Sequence, residues 1–131
     1  MATIFTKIIN GDIPCFKLVE DDHFFAFMDI RPINTGHCLV IPKSETDYFF
    51  DLQDEQLAGI MLFAKPIAQA LEQVVDCERI GIMIAGLEVP HAHVHLIPFD
   101  NGSQLSFDHA APADMEELKT IADQVSAILN T

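Results

Sequence analysis

The alternation of apolar and polar residues predicts one long amphipathic helix among several short strands. Within residues 52–75, apolar side chains recur at i, i+3, i+4 and i+7, and acids and glutamines occupy the opposite face. This period predicts the main core helix, with its amino-terminal cap near Asp51 or Asp54. Pro66 is expected to kink that helix.

Two further helices and five strands are indicated by the same patterns. Residues 3–14 predict one or two helical turns, and residues 113–129 predict a last helix. The apolar face of that last helix contains Met115, Leu118, Ala122, Val125 and Leu129. The strands are predicted at 16–20, 24–29, 37–42, 79–85 and 90–98.

Length and composition predict one domain over residues 1–131. The chain is 50% hydrophobic, which is enough for a real core. Its first apolar residues are interrupted by Thr6 and Lys7, so no signal peptide is expected. No apolar run approaches the roughly 20 residues that span a bilayer. We therefore expect a soluble protein.

Charge and cysteine content narrow the possible partners. The net charge of −13 disfavours a nucleic-acid backbone or an anionic membrane as a partner, although a mononucleotide needs only a few local donors. The three cysteines include no Cys-x-x-Cys pair. Reduced thiols and a cytoplasmic location are therefore expected.

Three histidines at alternate positions, His91, His93 and His95, are the main chemical signal. On a regular strand they would share one face, with neighbouring rings ~6.6 Å apart and the outer pair ~13 Å apart. The outer pair could not share one zinc ion, although a neighbouring pair with a distant residue could. The other interpretation is a phosphate-sized substrate lying along the row, attacked by one imidazole and held by the others.

The sequence around these histidines resembles the histidine-triad family, His-x-His-x-His followed by two apolar residues. An independent block in the amino-terminal third resembles the Hint branch of that family. It comprises Thr3-Ile4-Phe5, Lys7-Ile8-Ile9, Ile13-Pro14, Glu20-Asp21-Asp22, Ala26-Phe27, Asp29-Ile30, Pro32, His37 and Leu39 to Lys43. The resemblance covers roughly residues 3–98.

The resemblance implies an α+β fold, with an antiparallel sheet of about five strands packed on the long helix. It also implies a homodimer in which two sheets join edge to edge into one of about ten strands. The implied activity is hydrolysis or transfer at the α-phosphate of a purine nucleotide derivative, without a metal or other cofactor.

The resemblance also implies the site residues, because individual positions of this sequence match functional positions of the family. His93 corresponds to the family nucleophile, which forms a nucleotidyl-imidazole intermediate that water then hydrolyses. His95 would stabilise the phosphate oxygens, and His91 and His37 would orient the nucleophile or complete the phosphate site. The backbone of residues 86–88 (Gly86, Leu87 and Glu88) would approach the phosphate.

The nucleoside site is implied in the same way. Asp29 matches the carboxylate that accepts hydrogen bonds from both ribose hydroxyls. The positions that match the apolar purine slot are Ile4, Phe5, Ile8, Ile13, Phe27 and Ile30.

The connection from Gly81 to Val89 departs from the family pattern because it is shortened and contains no amide side chain. Leu87 stands where the family has Gln, and Glu88 stands where it has Ser or Thr. A carboxylate there would repel an anionic leaving group. We therefore expect a preference for nucleoside phosphoramidates, whose leaving group is an amine, over dinucleoside polyphosphates.

Three other functions fit the residues. They are a dinucleoside-polyphosphate hydrolase or nucleotidylyl transferase of the same superfamily, a nucleotide-binding module with little turnover, and a metal-binding protein that uses His91 or His93 with His37. Sustained turnover indicates an enzyme, a burst of one nucleotide per chain without sustained turnover indicates the binding module, and a stoichiometric metal content indicates the metal-binding protein.

Overall fold

A five-stranded antiparallel sheet forms the centre of the computed structural model, which describes residues 2–130. Met1 and Thr131, which the one-domain prediction includes, lie outside the described residues. The strands follow the spatial order β1-β2-β3-β5-β4. Their bounds are β1 Lys17–Glu20, β2 Phe24–Met28, β3 Cys38–Pro42, β4 Arg79–Met83 and β5 Val94–Phe99. The predicted α+β class and strand number are confirmed.

The helices cover opposite faces of this sheet because strand side chains alternate in direction. Phe24, Ala26 and Met28 of β2 enter the larger core cluster, together with α2 (Asp54–Val74) and α3 (Met115–Leu129). On the other face, Phe25 and Phe27 pack with residues of the short helix α1 (Ile4–Ile9). No helix of the described chain is long and apolar enough to cross a membrane.

The helix boundaries differ slightly from the predicted ones. The N-cap of α2 is Gln53, which makes no side-chain capping bond, rather than Asp51 or Asp54. Asp54 instead lies in the first turn, where a carboxylate interacts favourably with the helix dipole. The helix continues through Pro66. Met115, placed by the sequence on the buried face of the last helix, is 56% exposed because it is the first residue of α3.

The histidine segment is only partly a strand, which corrects the predicted run over 90–98. Strand β5 begins at Val94, so His91 and His93 precede it and only His95 belongs to it. Loop contacts hold the earlier residues, because the amide of Ala92 donates to the Thr46 carbonyl at 2.7 Å. The rings of His93 and His95 are consequently 5.0 Å apart between centroids, closer than a regular strand would place them.

The turn before β3 requires glycine. Gly36 has φ +92°, and a Cβ at this position would lie 2.8 Å from Cγ2 of Val75 and 3.0 Å from Cγ of Pro98. Both the backbone conformation and the lack of space therefore exclude other residues. This tight turn delivers His37 to the buried end of β3.

Candidate active site

Four histidines are buried together on the sheet, with exposed fractions of only 0 to 5% for His37, His91, His93 and His95. Buried imidazoles need hydrogen-bond partners, and those partners determine which ring nitrogen has the proton. Backbone groups with fixed donor or acceptor character supply the starting points. The tautomer of each neutral ring follows from them.

The tautomers of His91 and His93 are assigned starting from Pro42. Its carbonyl lies 2.8 Å from Nε2 of His91, so that nitrogen donates, and Nδ1 of His91 accepts from the Thr3 hydroxyl at 2.7 Å. Next along the chain, Nδ1 of His93 donates to the His91 carbonyl at 2.7 Å. In its neutral form His93 therefore presents the lone pair of Nε2.

The tautomers of His37 and His95 are assigned starting from Ile33. Its amide donates to Nδ1 of His37 at 2.9 Å, which leaves the proton on Nε2 of His37. That nitrogen donates to Nδ1 of His95 at 2.9 Å. The remaining proton of His95 is then on Nε2, which is buried and has no hydrogen-bond partner within residues 2–130. The pair thus presents one unpartnered N–H donor beside the lone pair of His93.

Burial favours the neutral form of three of these rings, those of His37, His91 and His95. It lowers the pKa of His37 to about 4. Burial also lowers the pKa of His95 to about 3, and the neighbouring His37 and His93 add to that effect. The pKa of His91 is lowered by burial as well, against the opposing influence of the Pro42 carbonyl. The tautomers assigned to His37, His91 and His95 are therefore neutral forms that burial favours.

Asp29 lies beside this group. Its Oδ1 accepts from the amide of Arg31 at 2.8 Å, and its Oδ2 is 3.5 Å from Nε2 of His37. Burial raises the pKa of Asp29, although the Arg31 amide opposes that shift. The side chain remains 20% exposed, so one face of the carboxylate is open to a ligand.

The residues predicted for the purine slot divide into two groups. Phe5 and Phe27 are buried with ring centroids 5.7 Å apart, and Ile8 packs against their cluster. Ile13 is half-buried, Ile4 is 48% exposed and Ile30 is 54% exposed, and none of the three belongs to that cluster. Only the first group therefore forms a continuous apolar surface. The ring of Phe5 connects this surface to the triad, because its centroid is 5.0 Å from that of His93.

The loop after β4 brings Glu88 close to His93. Its Oε2 lies 3.9 Å from Nε2 of His93, and its side chain is 56% exposed. Gly86 has φ +78°, which explains the glycine as a turn residue, and the space around it is open. Gly86 and Leu87 both line a cavity that also reaches His93. The sequence left open whether Glu88 faces this site, and the structure places it there.

One group of side chains in the described chain could converge on a metal ion. Ligand atoms of Asp29, His37 and His95 all lie within 4.8 Å of one another. This group shares only His37 with the alternative metal site, which paired His37 with His91 or His93 and stays a prediction. Nε2 of His37 and Nδ1 of His95 already share a hydrogen bond at 2.9 Å, which an ion bound by those two nitrogens would displace.

Three residues near the triad were missed from the sequence. The Thr3 hydroxyl contacts the ring of His91. The Thr3 amide in turn donates to Oε1 of Glu45 at 2.9 Å. Phe107 contacts His95 edge to face with ring centroids 4.9 Å apart. These contacts join distant parts of the chain, so no local spacing could have indicated them.

Comparison with known proteins agrees with this geometry. The family model of the HIT domain matches residues 10–102. The adenosine 5′-monophosphoramidase of Schizosaccharomyces pombe is 35% identical over 135 residues, covering 97% of this chain and 98% of its own. The chain belongs to the histidine-triad family.

Solved structures show the same fold. A Hit-like protein from Bartonella henselae superposes with a TM-score of 0.84 at 31% identity, covering 96% of this chain and 95% of its own. A zinc-bound histidine-triad protein from Mycobacterium smegmatis also has a TM-score of 0.84, at 32% identity, and covers 99% of this chain and 94% of its own.

Proposed function

We propose that this chain is a purine nucleoside phosphoramidase that works through a covalent nucleotidyl-His93 intermediate. The observation that carries this proposal is the 2.7 Å hydrogen bond from Nδ1 of His93 to the His91 carbonyl. That bond leaves the lone pair on Nε2, which is the atom that must attack phosphorus. The S. pombe relative, an adenosine 5′-monophosphoramidase, supports the substrate class.

His95 supplies the charge stabilisation. Its Nε2–H is buried and unpartnered among the described residues, so it is a preorganised donor for a non-bridging oxygen of the α-phosphate. The proton stays on this nitrogen because His37 donates to Nδ1 from the other side. His37 is therefore a positioning residue, acting on phosphate only through His95.

The reaction has two balanced steps. Nε2 of His93 forms a bond to phosphorus as the P–N bond breaks, and the departing amine takes the electron pair and a proton from solvent. Water then attacks phosphorus and gives up a proton to solvent, the Nε2–P bond breaks with its electron pair returning to Nε2, and the nucleoside monophosphate is released with neutral His93 restored. During both steps, positive charge on the substituted imidazole is stabilised by the Nδ1–H bond to the His91 carbonyl.

Asp29 and the apolar surface would hold the nucleoside. A carboxylate only accepts hydrogen bonds, so the open side of Asp29 suits the two ribose hydroxyls. The base would lie on the surface formed by Phe5, Phe27 and Ile8. The roles of Ile13 and Ile30 in this slot stay predictions.

Glu88 is the feature that favours an amine leaving group. Its carboxylate lies 3.9 Å from Nε2 of His93, close to where the leaving group must depart. An anionic nucleotide would be repelled there, whereas a protonated amine would be attracted. Faster cleavage of diadenosine polyphosphates than of a matched adenosine phosphoramidate would contradict this preference.

Metal binding is the second candidate function, supported by the convergence of Asp29, His37 and His95 and by the zinc-bound M. smegmatis relative. It competes with the first proposal because it would occupy the ribose carboxylate and the phosphate donor. A stoichiometric metal content that is needed for turnover would favour it.

A homodimer and a cytoplasmic location complete the proposal. The edge strand β4 leaves Ile82 half exposed, and an open strand edge with apolar side chains is suited to pairing with a second copy. Ile82→Lys should convert a dimer to a monomer in light scattering, and a wild-type monomer would refute the dimer. All three cysteines are free, which supports a reducing compartment.

Steady-state hydrolysis of adenosine 5′-phosphoramidate near neutral pH, with a chelator present, tests the main proposal. The wild-type chain should turn over and His93→Ala should not. Asp123→Asn, an exposed change on α3, is the matched control and should retain activity. A wild-type chain that binds adenosine monophosphate but releases only a single burst of product would instead favour a binding module.

A further inference from the structure

A cavity of about 380 Å³ opens beside the proposed nucleophile His93, and its lining includes none of Phe5, Ile8 and Phe27, which form the apolar nucleoside surface. His93 forms part of its wall, and Tyr48, Phe49, Phe50 and Leu87 form much of the rest. The ring of Phe5, which belongs to the nucleoside surface, contacts His93 separately. The nucleophile thus lies between two compartments, and the proposed nucleoside occupies only one of them.

The walls of this cavity are aromatic and exposed. Tyr48 is 60% exposed, Phe50 is 70% exposed and Leu87 is 89% exposed. The ring of Phe50 contacts both Tyr48 and Phe49 edge to face, each at a centroid distance of 5.7 Å. Such a cluster offers ring faces and edges to another flat group. Large apolar side chains gathered in the open typically mark a binding surface.

The charges around the cavity select against an anion. Asp47 lines the cavity and Glu88 stands at the adjoining nucleophile, whereas no lysine or arginine lines the cavity within residues 2–130. A polyphosphate leaving group would find two carboxylates and no cation. An ammonium group would be attracted to both carboxylates. The volume is at the small end for ligand sites, enough for one ring and a short linker.

Building on the function proposed above, we infer that this cavity binds the leaving group and that the preferred substrates are nucleoside 5′-phosphoramidates of arylalkyl primary amines. The aromatic ring packs against Tyr48 and Phe50. The nitrogen stays near Glu88 and His93. As Nε2 of His93 bonds to phosphorus, the P–N bond breaks and the nitrogen keeps the electron pair. It takes one solvent proton to become the free amine and a second to become an ammonium, which Glu88 stabilises.

Three adenosine 5′-phosphoramidates test this inference, with ammonia, hexylamine or 2-phenylethylamine as the leaving group. The two substituted amines have similar length. Because any difference in their basicity is the same for every protein variant, the change of their kcat/KM ratio between wild type and variants isolates the contribution of the ring. Wild-type protein should favour the phenylethyl substrate over the hexyl substrate by about tenfold. Phe50→Ala and Tyr48→Ala should each reduce that ratio towards one. Leu62→Ala, which removes an equally exposed side chain on α2 outside the cavity, should preserve it.

The result separates this inference from the proposed function. Turnover of the unsubstituted phosphoramidate with equal kcat/KM for the hexyl and phenylethyl substrates would overturn the inference and leave the phosphoramidase proposal standing. A Phe50→Ala protein that loses its oligomeric state while its substrate ratio is unchanged would also overturn it, because the aromatic cluster would then be an interface. Absence of turnover with all three substrates would overturn both.

Discussion

The hydroxyl of Thr3 and Nδ1 of His91 lie 2.7 Å apart, although 88 positions separate the two residues. Thr3 is also the N-cap of α1, where its oxygen accepts from the amide of Thr6 at 3.1 Å. The one hydroxyl proton of Thr3 has two possible acceptors, Nδ1 of His91 at 2.7 Å and the Thr6 hydroxyl at 3.2 Å, and the shorter contact assigns it to His91. One side chain both begins the helix beneath the apolar surface and fixes the tautomer of the first triad histidine.

Replacing Thr3 tests whether this bond positions the nucleophile. Thr3→Val removes the donor and leaves Nδ1 of His91 unpaired, so we expect a loss of about 1–2 kcal/mol in the free energy of unfolding. We also expect kcat to fall about tenfold with little change in KM, because His91 holds His93 rather than substrate. Thr3→Ser retains the hydroxyl and should restore both. Equal kcat values for the two variants would refute the positioning role.

Stability should depend on pH through His37 and His95. Both have pKa values below the usual 6.5 in the folded chain, about 4 and about 3, so the unfolded chain binds more protons between those values and 6.5. The contribution of these two groups to the free energy of unfolding is therefore greatest above pH 6.5. It decreases as the pH falls, by up to about 1.4 kcal/mol per pH unit for each histidine. Asp29 acts in the opposite direction, because its raised pKa makes the folded chain the stronger proton binder.

Urea unfolding at several values between pH 7 and about 5 measures this slope while avoiding most carboxyl titration. His37→Asn should reduce the slope relative to wild type, whereas His109→Gln, at an exposed site, should not. A slope that is identical in wild type and His37→Asn would show that the buried pair is not responsible.

Asp29→Asn tests the ribose site. The amide can accept only one of the two proposed ribose bonds, so KM for adenosine phosphoramidate should rise by about 10- to 100-fold while kcat changes less. Wild type should discriminate against the 2′-deoxy substrate, and Asp29→Asn should lose most of that discrimination. If the variant discriminates as strongly as wild type, the carboxylate does not contact the ribose.

Gly36→Ala tests the turn that delivers His37. Both the left-handed backbone and the 2.8 Å contact with Val75 oppose a side chain, so the free energy of unfolding should fall by about 2–4 kcal/mol. Gly11→Ala has the same sign of φ but open space, and should lose only about 1 kcal/mol. Gly102 has neither a positive φ nor an atom within 4 Å of where a Cβ would lie, so Gly102→Ala should change the free energy of unfolding very little. Equal losses at Gly36 and Gly11 would mean that the packing around Val75 adds nothing.

Much of the fold could be predicted from local patterns. The apolar period of α2 and the short alternating runs of β1 to β4 depend on neighbouring residues, which a sequence displays directly. The histidine segment could not be predicted in the same way. Its strand begins only at Val94, because contacts with distant loops, such as that of Ala92 with Thr46, replace regular strand pairing before it.

The residue types of the site could be predicted from the sequence, but the hydrogen bonds that fix the proton positions could not. The family pattern pointed to His93 and Asp29, and the structure brings both into one group. The proton positions depend on carbonyl and amide groups of Pro42 and Ile33, and on the hydroxyl of Thr3, none of which has a sequence signature. The aromatic wall of the leaving-group cavity comes from three consecutive residues, Tyr48-Phe49-Phe50, but its position beside His93 and residues 84–87 depends on tertiary packing.

Direct detection of the covalent intermediate tests the central claim. Wild-type protein would be mixed with excess adenosine 5′-phosphoramidate, quenched within the first turnovers at alkaline pH, where a phosphorylated imidazole survives, and analysed by intact and peptide mass spectrometry. We predict one adenylyl group per chain, located on His93 and absent from His93→Ala. Turnover with no adduct on the chain, or an adenylyl group on His91 or His95 instead, would contradict the assignment of His93 as the nucleophile.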